Sequence, residues 1–208
     1  MKKLNLDRSF RPEAFQTSIS KLVRLETHEI LKNFSGKILD VGCGNGIFML
    51  ESVNTFSEKL TVFGIDRDFA ALENGKQVFA DNDFNPDIFI QGNAYQLPFS
   101  DNTFDAVFCL NTFVNLAPIQ TIEQLIRELH RVCKKGKYII FDYRNAYNPA
   151  ISITYQLNRM TNSLSTYAYK WNHFRPLIKE LNAKLNQLTP LGSKNLFLAK
   201  GFLAVLEK

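Results

Sequence analysis

Residues 38–48 read "ILDVGCGNGIF", an apolar run that ends in an acid and passes into three glycines at alternate positions. Such a run predicts a buried β-strand, and glycines directly after it predict a tight turn whose backbone a ligand can approach. Where the turn leads into a helix, the helix N-terminus favours phosphate groups. The carboxylate of Asp40, at the mouth of this turn, is the feature that such a phosphate site does not explain.

Short β-type runs alternate with helical patterns through the middle of the chain. Parallel strands need crossover helices, so this order predicts an α/β fold with a sheet covered on both faces. Ligands then bind beyond the carboxyl ends of the strands. The predicted strands are residues 37–41, 60–65, 87–91, 106–110 and 137–142, and the predicted helices are residues 12–33, 47–54, 68–79 and 119–133.

An acid at the end of the second strand indicates the kind of ligand. Asp66 follows Gly46 by 20 positions, where a carboxylate can accept hydrogen bonds from both ribose hydroxyls. The dinucleotide fingerprint would need its third glycine at position 47, which is Ile, and Asp40 would repel a pyrophosphate. A nicotinamide-dependent dehydrogenase is therefore disfavoured. A nucleoside with positive charge, such as S-adenosylmethionine, fits both carboxylates.

Four motifs in order, "ILDVGCGNG", "VFGID", "GNAYQLPFSDNTFDAVFC" and "LIRELHRVCKKGKYIIFD", carry a family resemblance. Over about residues 36–142 the chain resembles the class I S-adenosylmethionine-dependent methyltransferases, in particular the methyltransferase domain 11/25-like group that acts mostly on small molecules. The resemblance implies a Rossmann-like, seven-stranded, mostly parallel sheet with a terminal antiparallel hairpin. Residues 197–207 are then the last strand and residues 184–189 the sixth. The implied reaction is an in-line transfer of a methyl group to a small-molecule acceptor.

The same resemblance implies a cofactor site at the strand ends. Asp40 would contact the methionine ammonium directly or through water, and Asp66 would hold the ribose. Asn93 stands where the family commonly has Asp, and its amide keeps an acceptor for the adenine amine. The implied cofactor-binding residues are Asp40, Gly42, Gly44, Gly46, Asp66, Arg67, Asn93, Ala94, Leu110 and Asn111.

Specificity for the acceptor is expected outside the resemblance, where the composition changes. Residues 143–208 hold nine Lys and Arg against two acids, a net of +7, whereas residues 1–142 have a net of −2. If Arg144 faces the acceptor, it can pair with a carboxylate or phosphate; the alternative is that it pairs with a protein carboxylate and the basic surplus faces solvent. The candidate acceptor contacts are Tyr143, Arg144, Asn145 and His173. No general base and no metal site is identified.

The chain is expected to form one domain. Its parts are an N-terminal helical segment (1–35), a cofactor-binding core (36–142), a variable acceptor-side region (143–192) and a C-terminal strand (193–208). No apolar run is long enough to span a bilayer, and the three scattered cysteines match neither a disulfide framework nor a metal site. We therefore expect a cytoplasmic protein.

Two other functions stay open at this point. The basic last third is compatible with an RNA methyltransferase, although residues 111–114 lack the Asn/Asp-Pro-Pro-aromatic motif of enzymes that methylate base or amide nitrogens. An intact cofactor motif is also compatible with a partner subunit that binds the cofactor without catalysis. The sequence leaves the oligomeric state and the acceptor undetermined.

Overall fold

The computed structural model describes residues 18–56, 58–161 and 165–208, and in them it shows a seven-stranded sheet. The strand order is β3-β2-β1-β4-β5-β7-β6, with β1 to β5 parallel and β7 antiparallel to both of its neighbours. This confirms the predicted fold. The strands are β1 (Gly36–Val41), β2 (Leu60–Asp66), β3 (Phe89–Gln91), β4 (Phe104–Cys109), β5 (Cys133–Arg144), β6 (Lys184–Leu191) and β7 (Gly201–Glu207).

Helices cover both faces of the sheet because alternate residues of each strand point to opposite sides. In β1, Leu39 and Val41 join the apolar cluster that includes residues of α4 and α6, whereas Ile38 joins the cluster that includes residues of α1, α2 and α3. The described helices are α1 (Ser18–Leu31), α2 (Ile47–Phe56), α3 (Phe69–Asp81), α4 (Ile119–Val132), α5 (Pro149–Met160) and α6 (Trp171–Glu180). No helix of the described ranges is long and apolar enough to cross a membrane.

The first five strands lie where the sequence predicts them, with different ends. The third is shorter than predicted because residues 86–88 form a 3₁₀ turn, in which the Asn85 side chain accepts from the backbone N–H of Asp87. The fifth is longer and continues to Arg144. Residues 12–17 of the predicted first helix lie outside the described residues, and α5 and α6 were not predicted.

The C-terminal hairpin also differs in its bounds. The predicted last strand, residues 197–207, begins only at Gly201. The backbone N–H groups of Leu198 and Ala199 donate to the carbonyl of Asn195, so this segment is a turn and not a strand. The sixth strand begins at Lys184 as predicted and continues to Leu191.

The parallel strands bring their carboxyl ends to one edge of the sheet, which we call the carboxyl edge. It is formed by the ends of β1 to β5. Because β7 runs antiparallel and pairs Gly201 with Arg144, the start of β7 lies at the same edge. Glu207, which pairs with Tyr138, lies at the opposite edge.

Candidate functional site

A cavity of about 1050 Å³ lies at the carboxyl edge. Its wall comes from the turn after β1, the end of β2, the loop after β3 and the segment after β4, as expected for an open α/β sheet. The described lining residues are Gly42, Gly44, Asn45, Ile65, Asp66, Arg67, Asp68, Ala71, Asn74, Gln91, Gly92, Asn93, Ala94, Tyr95, Leu110, Asn111, Thr112, Asn115, Leu116 and Leu125.

The glycine turn is closed by the neighbouring strand. Gly42 donates its N–H to the carbonyl of Ile65 at 2.8 Å and has a φ of +77°. A Cβ at this position would lie 2.4 Å from Oγ1 of Thr112, so glycine is required both by the backbone and by the space. Gly46 serves another purpose: a Cβ there would meet the ring of Phe89 at 2.5 Å, and the residue packs inward and does not line the cavity.

Asp66 is held rigidly at the cavity wall. Its Oδ2 accepts the N–H of Gly44 at 2.7 Å, and its Oδ1 accepts the N–H of Asp68 at 3.0 Å. A carboxylate has about four acceptor positions, so these two backbone bonds orient the group and leave it able to accept hydrogen bonds from a ligand. Arg67, between the two acids, also lines the cavity.

Asp40 lies behind the wall, near the end of β1, and is only 3% exposed. Burial, with the nearby charge of Asp66, raises the pKa of the Asp40 carboxyl to about 8. At neutral pH, and with no cation beside it, this carboxyl is therefore mostly protonated. A cationic ligand group would favour its ionised form and release the proton.

The loops after β3 and β4 contribute amide side chains. The Oδ1 atom of Asn93 accepts the backbone N–H of Tyr95 at 3.0 Å. This bond fixes the turn after β3 and orients the side-chain NH₂ group of Asn93. Asn111 has a left-handed backbone, with a φ of +55°. Its N–H donates to Oδ1 of Asp142 at 2.5 Å. Ala94 and Leu110 line the same cavity.

A buried ion pair behind the cavity holds Asn111. Arg144 is hydrogen-bonded to Asp142 through one NH group, and its other NH group donates to Oδ1 of Asn111 at 2.9 Å. The two charged side chains are 5% and 1% exposed. Burial raises the pKa of the Asp142 carboxyl, and the guanidinium and the Asn111 N–H oppose that rise. Arg144 thus pairs with a protein carboxylate. Of the two alternatives that the sequence left open, the pairing with an anionic group of the acceptor is the one that this contact disfavours.

The other three candidate acceptor contacts also lie outside the cavity wall. Because β5 continues to Arg144, Tyr143 is a strand residue whose ring packs in the core beside Phe174 and Phe202. The side-chain NH₂ group of Asn145 donates hydrogen bonds to the carbonyls of Leu196 and Ala199, in the turn before β7. His173 is exposed in the first turn of α6.

The middle of the chain matches a known protein family. Residues 39–141 match the family described as "Methyltransferase domain".

Residues 39–141 of the chain are therefore a methyltransferase domain.

Curated relatives of this methyltransferase domain are named for quinone biosynthesis. The chain is 32% identical over 143 residues to a demethylmenaquinone methyltransferase of Symbiobacterium thermophilum, covering 68% of this chain and 51% of that protein. It is 30% identical over 126 residues to the ubiquinone/menaquinone biosynthesis C-methyltransferase UbiE of Bartonella henselae, covering 60% and 47%. The chain thus spans about half the length of these curated relatives.

Solved structures share the fold of the methyltransferase domain. A protein of Pyrococcus horikoshii aligns with a TM-score of 0.70 at 20% identity, covering 98% of this chain and 99% of that chain. At this identity the likeness concerns the fold alone.

The methyltransferase domain has cavity residues that sequence reasoning missed. On α3, Asn74 lines the cavity, and its Oδ1 is buried without a hydrogen-bond partner among the described residues. The helix packs close to the glycine turn because it carries Gly75, where a Cβ would lie 2.7 Å from the carbonyl oxygen of Asn45. A glycine within a helical pattern was the available signal of this close approach. Asn115 and Leu116, after β4, were also missed as wall residues.

Proposed function

We propose that the chain is a methyltransferase that binds S-adenosylmethionine in this cavity and transfers its methyl group to a small molecule. The observation that carries the proposal is the Asp66 carboxylate, fixed between Gly44 and Asp68 at the wall of a cavity of about 1050 Å³. Charge-assisted hydrogen bonds to a fixed carboxylate are a strong means of holding a diol such as ribose.

The residues of the cavity fit the parts of this cofactor. Asp66 holds the ribose hydroxyls, and the Asn93 amide meets the adenine edge. The unpartnered Oδ1 of Asn74 is a buried acceptor that a hydroxyl or amine of a ligand can satisfy. Asp40 provides a carboxylate for the methionine ammonium, directly or through water, and becomes ionised when that cation binds.

When bound, the cofactor supplies a methyl group on a sulfonium, which an acceptor takes in an in-line displacement. The chain's own contribution is to orient and to exclude water. Asn111 lies in the segment after β4, and the buried pair of Asp142 and Arg144 holds it in place. It therefore gives the cavity wall a fixed polar group. The Tyr95 hydroxyl at the cavity wall is a hydrogen-bond donor, and burial raises its pKa further above the ordinary value of 10.

The acceptor class that we propose is a small, largely apolar ring compound of the quinol type. The curated relatives named for menaquinone and ubiquinone biosynthesis support it. Apolar side chains also contribute to the cavity wall, among them Leu110, Leu116 and Leu125. Pockets for small ligands are lined mainly by apolar and aromatic side chains, which suits a flat ring.

We expect S-adenosylmethionine and its demethylated product to raise the melting temperature by about 5–10 °C at a hundredfold excess over Kd, because a ligand stabilises the state that binds it. NAD should leave the melting temperature unchanged. Thermal denaturation with each ligand measures this. A response to NAD, with none to either sulfur compound, would contradict the proposed cofactor.

The Asp66→Ala variant tests whether S-adenosylmethionine binds at Asp66. It should weaken S-adenosylmethionine binding at least about tenfold in calorimetry, because the ribose loses its charged acceptor and the Gly44 N–H loses its partner. Asp81→Ala, which removes an exposed acid at the far end of α3, is the control and should bind as the wild type does. Equal affinity of Asp66→Ala and wild type would remove the ribose assignment.

A second measurement identifies the acceptor. With a methyl-labelled donor, we expect label to appear in an added demethylmenaquinol and not in RNA. The Asp66→Ala variant should lower this transfer in parallel with its cofactor affinity. Label found only in RNA would replace the proposed acceptor class, and cofactor binding without transfer to any acceptor would favour a partner subunit.

A further inference from the structure

The helix α5 turns an apolar side to solvent. Ile153, Leu157 and Met160 are 58%, 54% and 73% exposed, and no described residue of the helix is buried. Their spacing of four and three positions places them on a common side of the helix. The side that faces the protein carries the less exposed Ile151, Tyr155 and Asn158. The exposed apolar side is thus separate from the side that packs.

A turn beside the start of α5 also exposes apolar side chains. Leu196, Phe197 and Leu198 are 60%, 67% and 58% exposed. The Asn148 side chain, which caps the start of α5, donates to the carbonyl of Leu198 at 2.9 Å. The ring of Tyr147 lies 6.2 Å from that of Phe197. We call the combined surface the apolar rim; it consists of Tyr147, Ile153, Leu157, Met160, Leu196, Phe197 and Leu198.

The chain segments that form the apolar rim carry no acid. Residues 143–179 and 181–206 contain no acid. The ammonium of Lys170 lies 5.1 Å above the ring of Tyr147, and Lys194 and Lys200 are exposed at the turn. The two acids after residue 142 are engaged elsewhere: Glu180 pairs with Arg127 on α4, and Glu207 lies at the opposite edge of the sheet.

We propose that the apolar rim docks on an anionic lipid bilayer. Exposed apolar side chains bordered by Lys and Arg are the combination that binds such a surface: the apolar groups enter the boundary of the acyl chains, and the cations meet the acidic headgroups. A second copy of the chain is disfavoured as occupant, because it would place equal basic charges against each other. The proposal concerns a surface outside the cavity and does not depend on methyl transfer.

The rim is connected to the wall of the cavity. Asn145, two residues before Tyr147, forms a backbone bridge with Tyr169. The Tyr169 hydroxyl is hydrogen-bonded to the carbonyl of Leu116, a wall residue, and the Tyr167 N–H donates to the carbonyl of Val114 at 2.8 Å. Docking at the rim would therefore bring the cavity close to the bilayer, where an apolar acceptor is dissolved.

Flotation with lipid vesicles tests the proposal. The wild-type chain should float with vesicles of phosphatidylglycerol and phosphatidylcholine in equal parts and not with phosphatidylcholine alone, and high salt should weaken the binding. The triple variant Ile153→Ser, Leu157→Ser, Phe197→Ser should bind the anionic vesicles at least about tenfold more weakly. Leu185→Ser, on β6, is the control, since Leu185 is 36% exposed and pairs with Leu206 toward the opposite edge.

The results of these measurements distinguish an anionic bilayer from a second copy of the chain as the occupant of the apolar rim. Absence of wild-type flotation with the anionic vesicles overturns the proposal without any variant, and so does equal binding by a folded triple variant. If the wild type is a dimer in gel filtration and the triple variant a monomer, the rim is an interface between copies and the proposal is also overturned. Should the triple variant fail to fold by circular dichroism, Lys170→Glu with Lys194→Glu replaces it and must lower binding to the anionic vesicles.

Discussion

We expect Asp142→Ala to lower the free energy of unfolding by about 3–5 kcal/mol, the range observed when one partner of a buried ion pair is removed. The guanidinium of Arg144 would be left without its carboxylate partner in a site where its side chain is 5% exposed, and an uncompensated buried charge is costly. The Asn111 N–H would lose its acceptor as well. Urea unfolding, followed by circular dichroism, measures the loss.

Removal of Arg144 should cost less stability than removal of Asp142. Arg144→Ala leaves a carboxyl that can take up a proton, as the raised pKa of Asp142 already favours, so its cost should be smaller and should shrink further at acid pH. Glu180→Ala breaks the exposed pair with Arg127 and is the control, for which we expect scarcely any change. An Asp142→Ala protein as stable as the wild type would show that the pair does not hold this edge together.

We also expect Asp40→Asn to weaken S-adenosylmethionine binding roughly tenfold to a hundredfold, because a hydrogen bond to a charged group contributes about 1.5–3 kcal/mol. The substitution keeps the size of a side chain that is only 3% exposed. In the wild type, affinity should rise with pH up to about 8, since binding of the ammonium requires the ionised carboxylate. Calorimetry at several pH values measures both effects.

The same carboxyl should make the ligand-free protein less stable as pH rises. The pKa of Asp40 is about 8 in the folded chain against an ordinary value of 3.8, so between these values the folded state binds the additional proton. The contribution of Asp40 to stability therefore falls from about pH 4 to pH 8, and Asp40→Asn should remove this contribution.

For cofactor affinity the control is Asp105→Asn, at the opposite end of the strands, which should leave the affinity unchanged. If Asp40→Asn bound the cofactor normally at every pH, the ammonium assignment would be wrong.

The order of strands and helices over residues 36–142 could be predicted because apolar periodicity and glycine position are local properties of the chain. The same is true of Asp66, at the end of β2, and Asn93, just after β3, because the ends of parallel strands meet at the carboxyl edge. Within 143–192 the local signals were weak. Helix α5 was missed because its apolar residues lie on both sides, with Ile151 and Tyr155 toward the protein and Ile153, Leu157 and Met160 toward solvent, so they do not mark a single packed face.

Tertiary structure decided the roles of Arg144 and Asn74. Arg144 follows the predicted strand of residues 137–142, as site residues do, but it ends β5 and pairs with Asp142, two positions earlier on the same face of that strand. Asn111 reaches this pair only because β4 lies beside β5. Asn74 lies in a helix, and its exposure to the cavity depends on how closely α3 packs at Gly75. Sequence determines what a residue can bond to locally; which distant partner reaches it depends on the register of strands and the packing of helices, and these are set by the whole core.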